Sequence, residues 1–239
     1  MELNQTTRQR LESFITEIPP RLLHTAGLAC FFLTAAPSTS GAVCVPAASA
    51  MLTALTRFEI PAIAVPAVVR VSWSRFERGN RCPTLDSAGN INGHVVVITE
   101  EDDFIDASVL QFDDVVERRG PSGLMPLVGN QCGLWKSLTS PALAVGEPLN
   151  TAEFLLAPSG DHICYALYHP APAADTVQRY RELNSSNNLL AWEESMADLY
   201  AWIAANKLPQ LQLPNASVNS GLQQAMDLWR GQPQPNWNS

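Results

Sequence analysis

The sequence predicts an α+β protein: a helix packed on an antiparallel sheet, with additional helices at the C-terminal end. Three observations carry this expectation. The run from Cys44 to Arg57 is almost free of charge and repeats its apolar residues at helical spacing. Between residues 62 and 168, β-branched and aromatic residues gather in short runs bounded by turn residues. After Pro170-Ala171-Pro172 the pattern becomes helical almost to the end of the chain.

Taken in order, residues 3–18 place Leu11, Phe14, Ile15 and Ile18 on one helical face, and Pro19-Pro20 ends that helix. Pro20 suits the first turn of a second helix reaching about Ala35. The residues from Pro37 to Gly41 are a loop by composition, and they deliver the chain to Cys44. Val45, Ala48, Leu52 and Leu55 then trace one face of a buried helix, with Met51 beside it. Ala62 to Trp73 reads as a central strand interrupted at Pro66. Ser74 to Asn92 is polar and irregular, the longest candidate loop near the proposed site. His94–Thr99 and Phe104–Ala107 form a hairpin around the acidic turn Glu100–Asp103. Gly120–Gly133 is loop-rich, and Phe154–Tyr168 is a second hairpin turning at Pro158-Ser159-Gly160-Asp161. Helices follow over about Asp175–Leu183, Leu189–Asn206 and Val218–Arg230, then a tail rich in Pro, Asn and Gln. The expected division is a domain over 1–170, its core at 40–112, with 171–239 as a helical extension packed on it.

Composition narrows the function classes. At 239 residues, 46% hydrophobic and 16% charged, the chain can bury a sizeable core. A net charge of −8, with no basic cluster larger than Arg118-Arg119, argues against nucleic-acid binding. The five cysteines contain no CxxC pair, so no zinc site and no cofactor are expected. Their odd number leaves at least one thiol free, which suits a reducing compartment. The apolar stretch Leu22–Ala36 is too short to span a bilayer. It also follows residues carrying Glu12 and Glu17, unlike the short basic start of a signal peptide. A cytoplasmic protein is expected, one that would leave the cell only by a route without a signal. No membrane partner is expected, and the sequence leaves the oligomeric state open.

Cys44, His94 and Asp106 carry the candidate chemistry. A thiol at a helix start, a His at the head of one strand and an Asp on the next supply a nucleophile, a base and an orienting acid. A helix N-terminus favours a thiolate, so this is where a reactive cysteine belongs. Taken singly, each has a plainer reading: a core cysteine, an edge histidine, a turn acid. Phe104 and Ile105 place Asp106 on a half-buried strand, however, where an acid needs a partner, and His94 is the obvious one. Cys30 and Cys164 are expected to be buried and inert.

These residues resemble a known family. The pattern Cys44-x₃-Ala48-x₃-Leu52-x₂-Leu55-x-Arg57-x₂-Ile60-Pro61-Ala62-x₂-Val65 is similar to the nucleophile helix and following strand of transglutaminase-like proteins. His94 with its apolar strand, and Phe104-Ile105-Asp106-Ala107-Ser108, resemble that family's His and Asp strands over residues 40–112. The resemblance implies a papain-like fold, with Cys44 as nucleophile, His94 as base and Asp106 as orienting acid. It also implies amide hydrolysis, glutamine deamidation or transamidation through a thioester, on a protein or small amide substrate. The chain departs from the pattern in two places. Glu59 stands where the family has Gly, and Val95-Val96 replaces Ala-Trp after the His, so an aromatic wall must come from elsewhere.

Arylamine N-acetyltransferases share the triad, but their Arg-Gly-Gly-x-Cys is replaced here by Ser40-Gly41-Ala42-Val43-Cys44. Asn130-Gln131-Cys132-Gly133-Leu134-Trp135 is similar to a run in papain itself, with His162 or His169 as its bases. Its glutamine adjoins the cysteine, and no Asn or Asp follows on a strand. A silent binding module of the same fold is the remaining alternative. With no calcium loop and no second-substrate site in the pattern, water is the default acceptor and a hydrolase the leading reading.

Overall fold

The computed structural model describes residues 23–35, 43–75, 77–119, 127–129, 134–135, 147–155, 160–207 and 220–233. The helix expected over 3–18, the loop Pro37–Gly41, the tip of the second hairpin at Pro158-Ser159 and the final tail lie outside these residues. So does Gly120–Gly133, apart from one short strand.

Helix and antiparallel sheet are both present. The helices are α1 (Leu28–Ala35, continuing a π-helical turn Leu23–Gly27), α2 (Cys44–Arg57), α3 (Asp113–Arg119), α4 (Ala171–Leu183), α5 (Leu189–Lys207) and α6 (Ser220–Trp229). The strands are β1 (Ala62–Val71), β2 (Glu77–Gly79), β3 (Thr84–Leu85), β4 (Ile91–Asn92), β5 (Val95–Thr99), β6 (Phe104–Asp106), β7 (Leu127–Gly129), β8 (Asn150–Leu155) and β9 (His162–Leu167). Among the described residues the main sheet runs β7-β6-β5-β1-β9-β8, with β2 beside β1 and β3-β4 as a separate hairpin.

β1 organises the sheet. Its first half, Ala62–Pro66, pairs with β5, and its second half, Ala67–Val71, pairs with β9. Pro66 sits at the hand-over and does not interrupt the strand, contrary to the sequence expectation. The Ala67 N–H donates to the His94 carbonyl and the Tyr168 N–H to the Pro66 carbonyl, so the bonds around the proline are made without its missing donor. Ser74–Asn92 is likewise more ordered than expected, since it holds β2 and the β3-β4 hairpin. Asp86 nucleates that hairpin by accepting the Ala88 and Asn90 N–H groups at 2.8 Å each.

Strand alternation divides the interior in two. Ala64, Val95, Val97 and Ile105 face α2, sharing one core with Val45, Ala48, Met51 and Leu55. Val65, Val96, Ile98, Phe104 and Tyr165 turn the other way into a second core. α5 clamps α2 from behind. Thr53 Oγ1 donates to the buried Glu193 at 2.6 Å, and Arg57 binds Asp198 through two hydrogen bonds at 2.7 and 2.9 Å. From α4, Arg181 reaches Ser49 and Thr53. α6 comes so close to Phe58 that a side chain at Gly221 would strike its carbonyl oxygen.

α2 ends in a Schellman motif: Ile60 N–H bonds Leu55 O at 2.8 Å, and Glu59 N–H bonds Thr56 O at 3.0 Å. The motif needs a left-handed residue, and Glu59 supplies it at φ 57°. A β-carbon is costly there, which is why glycine is the usual occupant. Glu59→Gly is therefore expected to stabilise the protein by about 1 kcal/mol. Urea unfolding measures this, and a lower midpoint would show that Glu59 is held by its side chain and not strained.

Candidate active site

The three residues singled out from sequence lie at the junction of the two cores. Cys44 is the first residue of α2, and Val43, its N-cap, makes no side-chain cap. His94 lies one residue ahead of β5, and Asp106 is the last residue of β6. Their relative exposures are 1%, 1% and 0%, so every polar atom among them needs a partner inside the protein.

Asp106 has four donors. His94 Nε2 and the Tyr165 hydroxyl both reach Oδ2 at 2.8 Å, and the Ser108 N–H and hydroxyl both reach Oδ1 at 2.9 Å. Burial alone would raise its pKa; the charge and hydrogen bond of His94, with the bonds from Ser108 and Tyr165, outweigh burial and lower it. Asp106 is thus an acceptor-only carboxylate, which places a proton on His94 Nε2 and leaves Nδ1 for another partner.

Burial also works against a charged His94. The charge and hydrogen bond of Asp106, followed by those of Cys44, overcome it and push the pKa up to about 10. Cys44 is thus near enough to interact with the imidazole, and its thiol donates to the Gly93 carbonyl at 3.7 Å. Gly93 has φ 138°, and a side chain there would meet Pro83 at 2.7 Å. Only glycine fits this bend at the mouth of β5.

The aromatic wall missing from Val95-Val96 is built by other elements. Phe112 lies 5.1 Å from the His94 ring and Tyr165 6.2 Å, centroid to centroid. Arg78 stacks on Phe112 at 5.7 Å and pairs with Asp114.

Three neighbours were not identified from sequence. Tyr165 was read as one more apolar residue of a hairpin, and Ser108 as part of the strand motif. Gln111 carried no signal at all, yet its amide takes the Val43 N–H on Oε1 at 3.1 Å and reaches His94 Nδ1 with Nε2 at 2.9 Å.

The competing cysteine constellation is not assembled by the described residues. Cys132 lies outside them, His162 is half-buried beside Glu153 at 3.5 Å, and exposed His169 accepts the Ala171 N–H. Cys82 is exposed. Cys164 is half-buried, not buried as expected, because alternation along β9 turns Ile163, Tyr165 and Leu167 inward and Cys164 outward. Burial, then Glu153, pushes its thiol pKa up, with Arg70 opposing. The side chain of Cys30 is outside the described residues. No helix among the described residues is long and apolar enough to cross a membrane.

Comparison with known protein families, characterised proteins and solved structures finds no match for the chain.

Two measurements check this electrostatic account. Because the folded-state pKa of Asp106 lies below its ordinary 3.8, its stabilisation is present above that value and is lost as pH falls through the folded one. The stability gap between wild type and Asp106→Asn should therefore be level between about pH 5 and 6, narrow below about pH 4 as Asp106 protonates, and narrow again above about pH 6.5 as the His94 contribution is lost. A gap that widens below about pH 4 would reverse the assignment. Tyr165→Phe deletes a single donor to a buried charge, so urea unfolding should register a loss of about 1.5–3 kcal/mol, and a neutral result would remove Tyr165 from the site.

Proposed function

We propose that the protein is a thiol-dependent enzyme of papain-like, transglutaminase-like type that acts on an amide bond through a thioester. One observation carries this reading. His94 is oriented by a buried carboxylate on Nε2, and its other nitrogen is tied through the Gln111 amide to Val43, the residue before Cys44 at the helix N-terminus.

The steps follow from that arrangement. The Cys44 S–H proton passes to His94 Nδ1, and the sulfur electron pair attacks the substrate carbonyl carbon. The carbonyl π pair moves onto oxygen, and the Cys44 N–H, which has no carbonyl four residues back within the helix, is placed to donate to it. Collapse breaks the C–N bond, and the leaving nitrogen takes the proton from Nδ1. Water, deprotonated in turn by Nδ1, then releases the acid and restores the thiol. Asp106 stays ionised and keeps the imidazole in register.

A second reading is transfer of a short acyl group, although the cavity beside the thiol, lined by Ala47, Ala48, Met51 and Val95, has room for little more than a water molecule. Incubation with acetyl-CoA followed by intact mass separates the two, since only acyl transfer leaves an acetyl group on Cys44 from that donor.

Acylation by p-nitrophenyl acetate provides a substrate-independent test. Cys44→Ala should abolish the burst of nitrophenolate while changing stability by no more than about 1–2 kcal/mol. Asp106→Asn should lower the burst rate by about 10²–10⁴. A burst that survives in Cys44→Ala would end the thiol-enzyme reading.

A further inference from the structure

We propose that Gln111 holds Cys44 and His94 as an uncharged thiol–imidazole pair until a substrate carbonyl draws its amide away from Nδ1. The inference rests on the thiol-enzyme reading above and extends it to how the site is triggered.

The argument begins at Val43. Its backbone N–H is a donor in every protonation state, and the acceptor it uses is Gln111 Oε1 at 3.1 Å. The amide is thereby fixed, with Nε2 aimed at His94 Nδ1 at 2.9 Å. An amide NH₂ has only hydrogens to offer, so the contact fits an imidazole whose Nδ1 carries a lone pair and not a proton. The Cys44 contact points the same way. Its sulfur faces the Gly93 carbonyl oxygen at 3.7 Å, a partner for S–H and a repulsive neighbour for a thiolate. Both contacts belong to the uncharged pair.

Other groups oppose them. The titratable groups facing His94 are Asp106 from β6, Tyr165 from β9, whose hydroxyl is spent on Asp106, and Cys44 from α2. Against burial, Asp106 and Cys44 favour an imidazolium and carry its pKa to about 10. The share from Cys44 includes the charge of a thiolate, which the uncharged pair lacks, and the Gln111 amide, with only hydrogens to offer Nδ1, opposes the rest. A permanently protonated ring could not accept the thiol proton, so the opposing pull keeps His94 usable as a base.

Activation follows from the same atoms. A carbonyl oxygen entering beside Cys44 competes for the Gln111 Nε2–H. Once that hydrogen bond moves from Nδ1 to the substrate oxygen, the S–H bond breaks, the N–H bond at Nδ1 forms, and the sulfur keeps its electron pair for attack. The Nε2–H then supports the oxygen as it gains charge.

The test uses the full chain labelled with ¹⁵N-histidine, which has four histidines, with His94 assigned by His94→Gln. At pH 7 the wild-type His94 should show a protonated Nε2 and a bare Nδ1. Gln111→Leu, which removes the donor, and Gln111→Glu, which replaces it with a near-isosteric acceptor, should both show two protonated nitrogens. The p-nitrophenyl acetate burst should meanwhile fall about 100-fold in Gln111→Leu, as for loss of an oxyanion donor. A doubly protonated His94 in wild type, a ring state that ignores both variants, or an undiminished burst overturns the proposal. A burst dependent on Cys44 under any of those outcomes leaves the thiol-enzyme reading standing, whereas a burst independent of Cys44 removes that reading itself.

Discussion

Asp106 is a carboxylate with no solvent exposure, and an ion in that position is tolerated only if its lone pairs are filled. Its four donors come from three separate places: His94 at the mouth of β5, Tyr165 in β9, and Ser108 just past β6. Satisfying this single charge therefore fixes the lateral order β6-β5-β1-β9 at one level of the sheet. A slip of one residue in β6 would turn Asp106 to the α2 face, among Val95, Val97 and Ala64, and a slip in β9 would turn Tyr165 away and cost the charge a donor. The same geometry that orients the imidazole thus also penalises alternative pairings of the sheet.

Seen from Asp106, the two cores have distinct roles. The second core, with Phe104 packed between Phe154 and Tyr165 at 4.9 and 4.7 Å, sets the Tyr165 hydroxyl against the carboxylate. The first core, built on α2, carries Cys44 to the same place from the other side. α2 is held by groups far from Cys44: Glu193 and Asp198 of α5 and Arg181 of α4 bind Thr53, Arg57 and Ser49. Of the two Glu193 oxygens, Oε2 is bound by Thr53 while Oε1 is buried without a hydrogen-bond partner among the described residues. That network costs desolvation, and what it secures is the azimuth of the helix whose first residue is Cys44.

Much of this was legible in the residues. The span of α2, the β5-β6 hairpin and the pairing of His94 with Asp106 all follow from short-range signals: a charge-free helical period, alternating apolar residues, and an acid on a buried strand. Pro66 misled because the cost of proline depends on which neighbour needs its N–H, and that is a property of the sheet as a whole. The Ser74–Asn92 segment looked structureless because its strands are two or three residues long, too short for any period to show. Tyr165 and Gln111 act across 59 and 17 positions, through a hydroxyl and an amide that are indistinguishable in sequence from ordinary strand and turn residues. Long-range hydrogen bonds of that kind leave no local pattern.

The N-terminus of α2 shows how the remaining choices fit the proposed chemistry. Most helices neutralise their first turn with a Ser, Thr, Asp or Asn cap or an early carboxylate. α2 has Val43 at the cap, no side-chain cap and no acidic residue in its first turn. A capping oxygen there would occupy the free N–H groups and cancel the positive end of the helix beside the sulfur. Leaving it uncapped costs roughly 1 kcal/mol of helix stability, and the helix affords that loss because α4 and α5 bind its flank. The Val43 N–H is not left bare; it is assigned to Gln111, which reaches His94 with its other end. The helix terminus, the thiol and the imidazole are therefore joined through a single amide, so that a change at any one of them is felt by the other two.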